Sequence, residues 1–252
     1  MDPVLEALEE QQAELAHLLS GLREEQWHAP TRCEGWDVAD VVLHLSQSDE
    51  MAIASITGRF DEYLVTAARG SSRGEISVDR AAAYMVERER GVPPAELRER
   101  WGCASMRLVE VLEATDLSER VPWVAGQLSA RTLATTRMAE TWIHAWDVAD
   151  ALGTELVPSD RLRLVARLAW RTLTYAFESA GRSMHGPAAF LLTSPQGEAW
   201  EYLPDVPAAT TITGPAFDLC AVAARRARPS DTSLSGVGPD VEEILALVRT
   251  YA

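Results

Sequence analysis

Two histidines and a glutamate stand at spacings that can hold a metal ion. In "METWIHAWDVADALG", Glu140 and His144 are four residues apart, so on a helix both side chains leave one face, with Asp147 three residues further along it. In "GWDVADVVLHL", His44 sits among Val41, Val42, Leu43 and Leu45, about two turns into another helical stretch. An inward-facing histidine needs partners for both ring nitrogens, and an inward-facing glutamate needs a cation or a proton. Brought to one point, the three are a ligand set for zinc with positions left for water or substrate. They equally match the two-histidine, one-carboxylate face of non-haem iron. Taken singly, each has a plainer reading, as a satisfied core histidine or an ordinary helix-surface pair. His17, His28 and His185 lack such company, and Cys33, in the turn before the His44 helix, reads as a loop residue. Trp36 and Trp142 read as core or wall residues.

The elements that must position these residues are helical. Leu5, Leu8, Leu15, Leu18, Leu19 and Leu22 give the N-terminal stretch a helical spacing. "HAPTRCEGW" supplies turn residues, and Asp37 is a good N-cap for a helix that Gly58 stops. "RGSSRG" reads as loop and "SVDRAAAYMVERER" as a short exposed helix. "PPAELRERWGCASMRLVEVLEATD" predicts a helix with Leu97, Trp101, Met106, Val109 and Leu112 inward. "VPWVAGQLSA" reads as a loop, and helices follow over about 132–152, ended by Gly153, and about 158–180. Beyond Gly181, "AAFLLTSP", "EAWEYLP" and "ATTITG" predict strands, "PAFDLCAVAARRA" a helix, "DTSLSGVG" a strand and turn, and "DVEEILALVRTY" a closing helix. The expected class is therefore a helical bundle over 1–182 followed by a small α+β domain over 183–252.

"WDVAD" occurs twice, at Trp36–Asp40 and Trp146–Asp150. The first copy is placed to start a helix and the second lies inside one, and the flanks do not align. Two helices with like faces explain the echo better than a duplication does.

Composition narrows the function classes. A formal net charge of −15 over 252 residues opposes binding to nucleic acid or to an anionic membrane surface. The acidic, amphipathic N-terminus does not resemble a signal peptide, and no apolar run reaches the ~20 residues that span a bilayer. Three widely spaced cysteines point to a reducing cytoplasm. All 23 basic residues are arginine, so Schiff-base, pyridoxal-phosphate, P-loop and kinase-lysine chemistries are excluded.

"TRCEGWDVADVVLHL", followed by "ETWIHAWDVADALG", resembles the mycothiol-dependent maleylpyruvate isomerase family. That family is a branch of the DinB-like superfamily of metal-binding four-helix bundles. "SARTLATTRMAETW" and the tail "TGPAFDLC…RRARPSDTSL…GPDVEEIL" are similar to an actinobacterial metal-binding subgroup of it. The resemblance implies a DinB-like bundle with a sterol-carrier-like C-terminal domain. It also implies a divalent metal, most often zinc, at His44, Glu140 and His144. Mycothiol, a low-molecular-weight thiol, is the implied co-substrate. The implied reaction is S-transfer to, or cis–trans isomerisation of, a small electrophilic substrate. The family's isomerases set a C-domain arginine against substrate carboxylates; Arg225, Arg226 and Arg228 are available here, with Arg226 the first choice. Trp36 and Trp142 are expected to wall the thiol and metal site, and Asp147 to orient a ligating histidine. The site is expected where the metal end of the bundle meets the C-domain. A thiol-independent lyase, cyclase or hydrolase using the same metal, and a non-catalytic metal or ligand binder, remain the alternatives.

Overall fold

The computed structural model describes residues 1–67, 78–124 and 126–250, so the "RGSSRG" stretch lies outside the described residues. The chain divides into two compact units, Met1–Leu156 and Val157–Ala252.

In the first unit, α1 (Pro3–Ser20), α3 (Val38–Ile56), α6 (Pro94–Glu113) and α7 (Ala130–Ala151) form a four-helix bundle. α1 packs on α6 and α7, and α3 packs on the same two helices. Shorter helices α2 (Glu24–Trp27), α4 (Phe60–Ala67) and α5 (Val78–Glu89) fill the connections, with α4 and α5 lying on α3. The core draws on the apolar spacing of all four long helices: Leu8, Leu15 and Leu19 from α1, Val41, Val42 and Leu45 from α3, Leu97, Trp101, Leu108 and Leu112 from α6, and Leu133, Met138 and Val148 from α7. Met106 is exposed, because the inward stripe of α6 passes through Ser105 and Leu108 instead.

Helix ends follow local chemistry. Asp37 caps α3 by accepting from the Asp40 amide at 2.9 Å, while Asp40 accepts from the Asp37 amide at 3.2 Å, a reciprocal box. Ser129 caps α7 by accepting from the Thr132 amide. Gly153, at φ 65°, takes the left-handed turn beyond α7, and the Thr154 amide donates back to the Ala149 carbonyl at 2.8 Å. "VPWVAGQLSA" is a hairpin rather than a loop, with β1 (Arg120–Trp123) antiparallel to β2 (Gly126–Ser129). Strands of four residues with a proline in one carry almost no periodic signal.

In the second unit, α8 (Leu162–Arg171) and α9 (Leu173–Ser179) replace the single helix expected over 158–180, broken at Thr172. Strands β3 (Ala188–Thr193), β4 (Ala199–Tyr202), β5 (Thr210–Pro215) and β6 (Ser235–Val237) form a sheet in the order β4-β3-β5-β6. β3 and β5 are parallel, and the outer pairs are antiparallel. α10 (Ala216–Ala223) packs on α8 and β5, and α11 (Val241–Leu247) on α9 and β5. The class is helical followed by α+β, as expected. The compact division falls at 156/157 instead of 182/183, because α8 and α9 pack with the sheet: Trp170 donates to the Ala188 carbonyl at 2.8 Å, and Tyr202 to that of Arg163 at 2.8 Å.

Candidate metal centre

α7 is buried along nearly its whole length, so the side chains that face α3 lie inside the bundle. Arg137, Glu140, His144 and Asp147 repeat at intervals of three, four and three, the spacing of a helix seam. A seam of that kind is ordinarily apolar. Here it carries four ionisable groups, each under a tenth exposed.

Three of the ligand atoms predicted from sequence meet. His44 Nε2 stands 3.2 Å from Glu140 Oε2, and His144 Nε2 stands 3.7 Å from the same oxygen. The two imidazole rings lie edge to face, with centroids 5.1 Å apart. Two atoms each about 2.1 Å from a shared tetrahedral ion stand about 3.4 Å apart. The two spacings at Glu140 bracket that value, and the three ligand atoms lie within 4.8 Å of one another, so their chemistry and separations suit a divalent metal.

The outer partners are also in place. Asp147 Oδ2 accepts from His144 Nδ1 at 2.9 Å, which leaves Nε2 to face Glu140 and His44. Trp36 covers His44, with ring centroids 5.1 Å apart. Trp142 packs against Trp146 at 5.8 Å. Arg226 lies at the end of α10 in the second unit, where its Nη1 donates to the Ala224 carbonyl at 2.9 Å. Arg225 donates to the Ala246 carbonyl, and Arg228 forks onto Asp231.

Electrostatics divides the two histidines. Burial lowers the pKa of His44 and outweighs the Glu140 hydrogen bond, so this ring is neutral near pH 7. Burial also works against a charged His144, but Asp147, Cys33 and Glu140 outweigh it and push the pKa up to about 10. Burial resists ionisation of Glu140, but the His44 hydrogen bond and the nearby charges of His144 and Arg137 bring its pKa down to about 2. Glu140 and His144 together are thus a carboxylate facing an imidazolium that gives up a proton when a cation takes its place.

Sequence reasoning missed three residues beside this centre. Cys33, read as a loop residue, donates its thiol proton to Asp147 Oδ2 at 3.3 Å and lies 3.9 Å from His144 Nδ1. Cys33, His144 and Asp147 form a second cluster of metal-capable atoms on the far edge of the His144 ring. The turn holding Cys33 is tight: Thr31 bonds the Trp36 carbonyl through both its amide and its hydroxyl, and Gly35 adopts φ 76°. Arg137 and Asp49, from α7 and α3, form a fully buried pair at 2.9 Å. Arg137 stands three residues before Glu140 on the same seam; that spacing was the available signal.

The mycothiol maleylpyruvate isomerase N-terminal domain family matches residues 8–149. An uncharacterized protein of Mycobacterium tuberculosis (strain CDC 1551 / Oshkosh) is 34% identical over 255 residues, covering 99% of this chain and 95% of that protein. A counterpart from a second strain of that species matches equally. Among solved structures, the mycothiol-dependent maleylpyruvate isomerase superposes with a TM-score of 0.61 at 19% identity, over 94% of each chain. A histidine-to-alanine mutant of that isomerase superposes as well, at 18% identity. No helix among the described residues is long and apolar enough to cross a membrane. The histidine and glutamate positions lie within the matched region, and the chain belongs to the mycothiol maleylpyruvate isomerase N-terminal domain family.

Proposed function

We propose that the protein is an enzyme that uses a divalent metal and a low-molecular-weight thiol of the mycothiol type. It isomerises, or transfers sulfur to, a small electrophilic substrate. The observation that carries this reading is the meeting of His44, Glu140 and His144 from two helices, with Glu140 Oε2 3.2 and 3.7 Å from the two imidazole nitrogens and all three ligand atoms within 4.8 Å of one another. Membership of the family and likeness to the mycothiol-dependent isomerase support it.

His44, Glu140 and His144 would hold the metal, zinc in the first instance, which would supply the Lewis acidity that favours a thiolate at neutral pH. The chain does the rest. His44 offers a neutral ring without first losing a proton, because burial already disfavours its charged form. Asp147 fixes the tautomer of His144 by accepting from Nδ1, so that Nε2 presents its lone pair inward. Trp36, its ring tilted against that of His44 with centroids 5.1 Å apart, is assigned to shield that side from water. Trp142, which packs against Trp146, is assigned to the apolar wall. Arg226 is assigned to an anionic group on the substrate, where a guanidinium can make a two-point contact.

The test is turnover of cis-configured conjugated acids and other small electrophiles by zinc-supplied protein. Mycothiol is present, absent, or replaced by its S-methyl form. Conversion only with the free thiol is expected. Equal rates in all three arms contradict the thiol role and point to metal chemistry without it.

A further inference from the structure

We propose that the buried Arg137–Asp49 pair is a positioning element for the metal centre, holding the Glu140 carboxylate toward His44 and His144. This rests on the metal-centre reading above. It adds two buried residues to that reading, neither of them a proposed ligand.

The first observation is where the guanidinium lies. Arg137 is 2% exposed and Asp49 fully buried, and Arg137 Nε donates to Asp49 Oδ1 at 2.9 Å. Its Nη1 stands 3.9 Å from Glu140 Oε2, the same oxygen that faces both histidines. That distance is too long for a good hydrogen bond and short enough for a strong charge interaction where water is absent.

The second observation is the form of the pair. Arg90 on Asp40, Arg100 on Glu50, Arg131 on Asp2 and Arg32 on Asp150 each make two bonds, the closed fork that suits a guanidinium and a carboxylate. The Arg137–Asp49 pair is more buried than any of these, yet it makes a single bond. Asp49 Oδ2 and Arg137 Nη2 find no hydrogen-bond partner among the described residues. Arg137 is thus turned so that one edge meets Asp49 and another faces Glu140, at the expense of saturating the pair itself.

The third observation is that stability gives no reason for charge here. Burying an ion pair is repaid only with excellent geometry and full hydrogen bonding, and an apolar pair of similar volume is often as stable or more so. An incompletely bonded pair in the middle of a helical bundle has its explanation in what lies next to it. Asp49 anchors Arg137 from α3, Arg137 faces Glu140 from one turn earlier on α7, and the pair moves with the two helices that carry the ligands. Once a cation occupies the triangle, Asp49 still neutralises Arg137, so the guanidinium does not repel it as an isolated charge would.

The experiment measures zinc affinity by chelator competition on the full chain, beside thermal unfolding without metal. Arg137→Gln is expected to weaken zinc binding about 10–100-fold, the range for loss of a ligand's outer partner. Arg137→Lys, which keeps the charge, is expected to retain more of the affinity than Arg137→Gln. The double variant Arg137→Met with Asp49→Leu is expected to unfold at or above the wild-type temperature and still show the weakened affinity, a combination that a merely structural role does not produce. Wild-type affinity in a folded double variant overturns the inference and leaves the metal centre standing. Equal affinity for Arg137→Lys and Arg137→Gln overturns it even where the double variant fails to fold. Absence of zinc binding in the wild type overturns the metal centre and this inference together.

Discussion

The two copies of Trp-Asp-Val-Ala-Asp show how context turns one sequence to different uses. Val38 and Val148 do the same thing: both are fully buried in one core cluster. The flanking residues part ways. Asp37 sits before α3 and caps it, accepting from the Asp40 amide, while Asp147 sits inside α7, where backbone amides are already paired, and its carboxylate is left for His144 and Cys33. Trp36 turns onto His44, and Trp146 lies under the Arg32 guanidinium, 5.7 Å away. Asp40 is buried and forked to Arg90, whereas Asp150 is exposed and forked to Arg32. The copies also reach one another: Arg32 and Cys33, just before the first, bond to Asp150 and Asp147 of the second. The lesson is positional. Ahead of α3, Asp37 gives one oxygen to the Asp40 amide and the other to the exposed His28, whereas Asp147, inside α7, gives its carboxylate to His144 and Cys33.

That contrast can be broken by substitution. The largest effect belongs to the ligands the second copy supports. His144→Ala or Glu140→Ala is expected to weaken zinc binding by more than about 100-fold, beyond the range for outer partners, as read by chelator competition. Next comes Asp147→Asn, expected to weaken zinc binding about 10–100-fold. Its counterpart in the first copy should behave in reverse. Asp37→Ala is expected to remove about 1 kcal/mol of stability in urea unfolding, the worth of an N-cap, with zinc affinity unchanged. If Asp37→Ala weakens zinc binding as Asp147→Asn does, the division of labour is wrong.

The pH dependence sharpens the same point. In the metal-free protein the pKa of His144 is raised to about 10. The stability this provides is therefore fully present below the unfolded value of about 6.5 and is lost as pH rises toward 10. Zinc needs the ring neutral, so binding near pH 7 is expected to release about one proton, from His144, and affinity should rise about tenfold per pH unit. His44, with its pKa lowered, contributes no further proton there. Calorimetry in buffers of different ionisation enthalpy counts the protons, and Asp147→Asn should reduce the count. The smallest effect is expected at the end of the second copy. Asp150→Ala breaks an exposed fork with Arg32, both side chains over two-fifths exposed, and should cost at most about 1 kcal/mol.

What could be read from the sequence is what helical periodicity fixes. Glu140 and His144 share a face because they are four apart, and Asp37 announces a helix start because its side chain competes for local amides. The bundle followed by an α+β part was legible from the change of period after Gly181. The hairpin at Arg120–Ser129 was not, since its strands are four residues long and Val121 is the one buried residue in them. Cys33 was hidden for another reason: its partner Asp147 lies 114 positions away, and a turn residue has no periodic face from which a contact can be inferred. Arg137 stood in view on the seam, but arginine is so seldom buried that its type argued for the surface. Only packing against Asp49 shows otherwise.

The account turns on whether His44, Glu140 and His144 hold a metal that accepts a thiol. X-ray absorption at the zinc edge of the zinc-loaded protein, before and after addition of mycothiol, tests both halves at once. The account predicts a light-atom shell with two imidazoles at about 2.0–2.1 Å, then a new sulfur at about 2.3 Å when the thiol is added. A sulfur already bound before the thiol arrives would place zinc at Cys33 instead, and a shell that the thiol leaves unchanged would contradict the proposed chemistry.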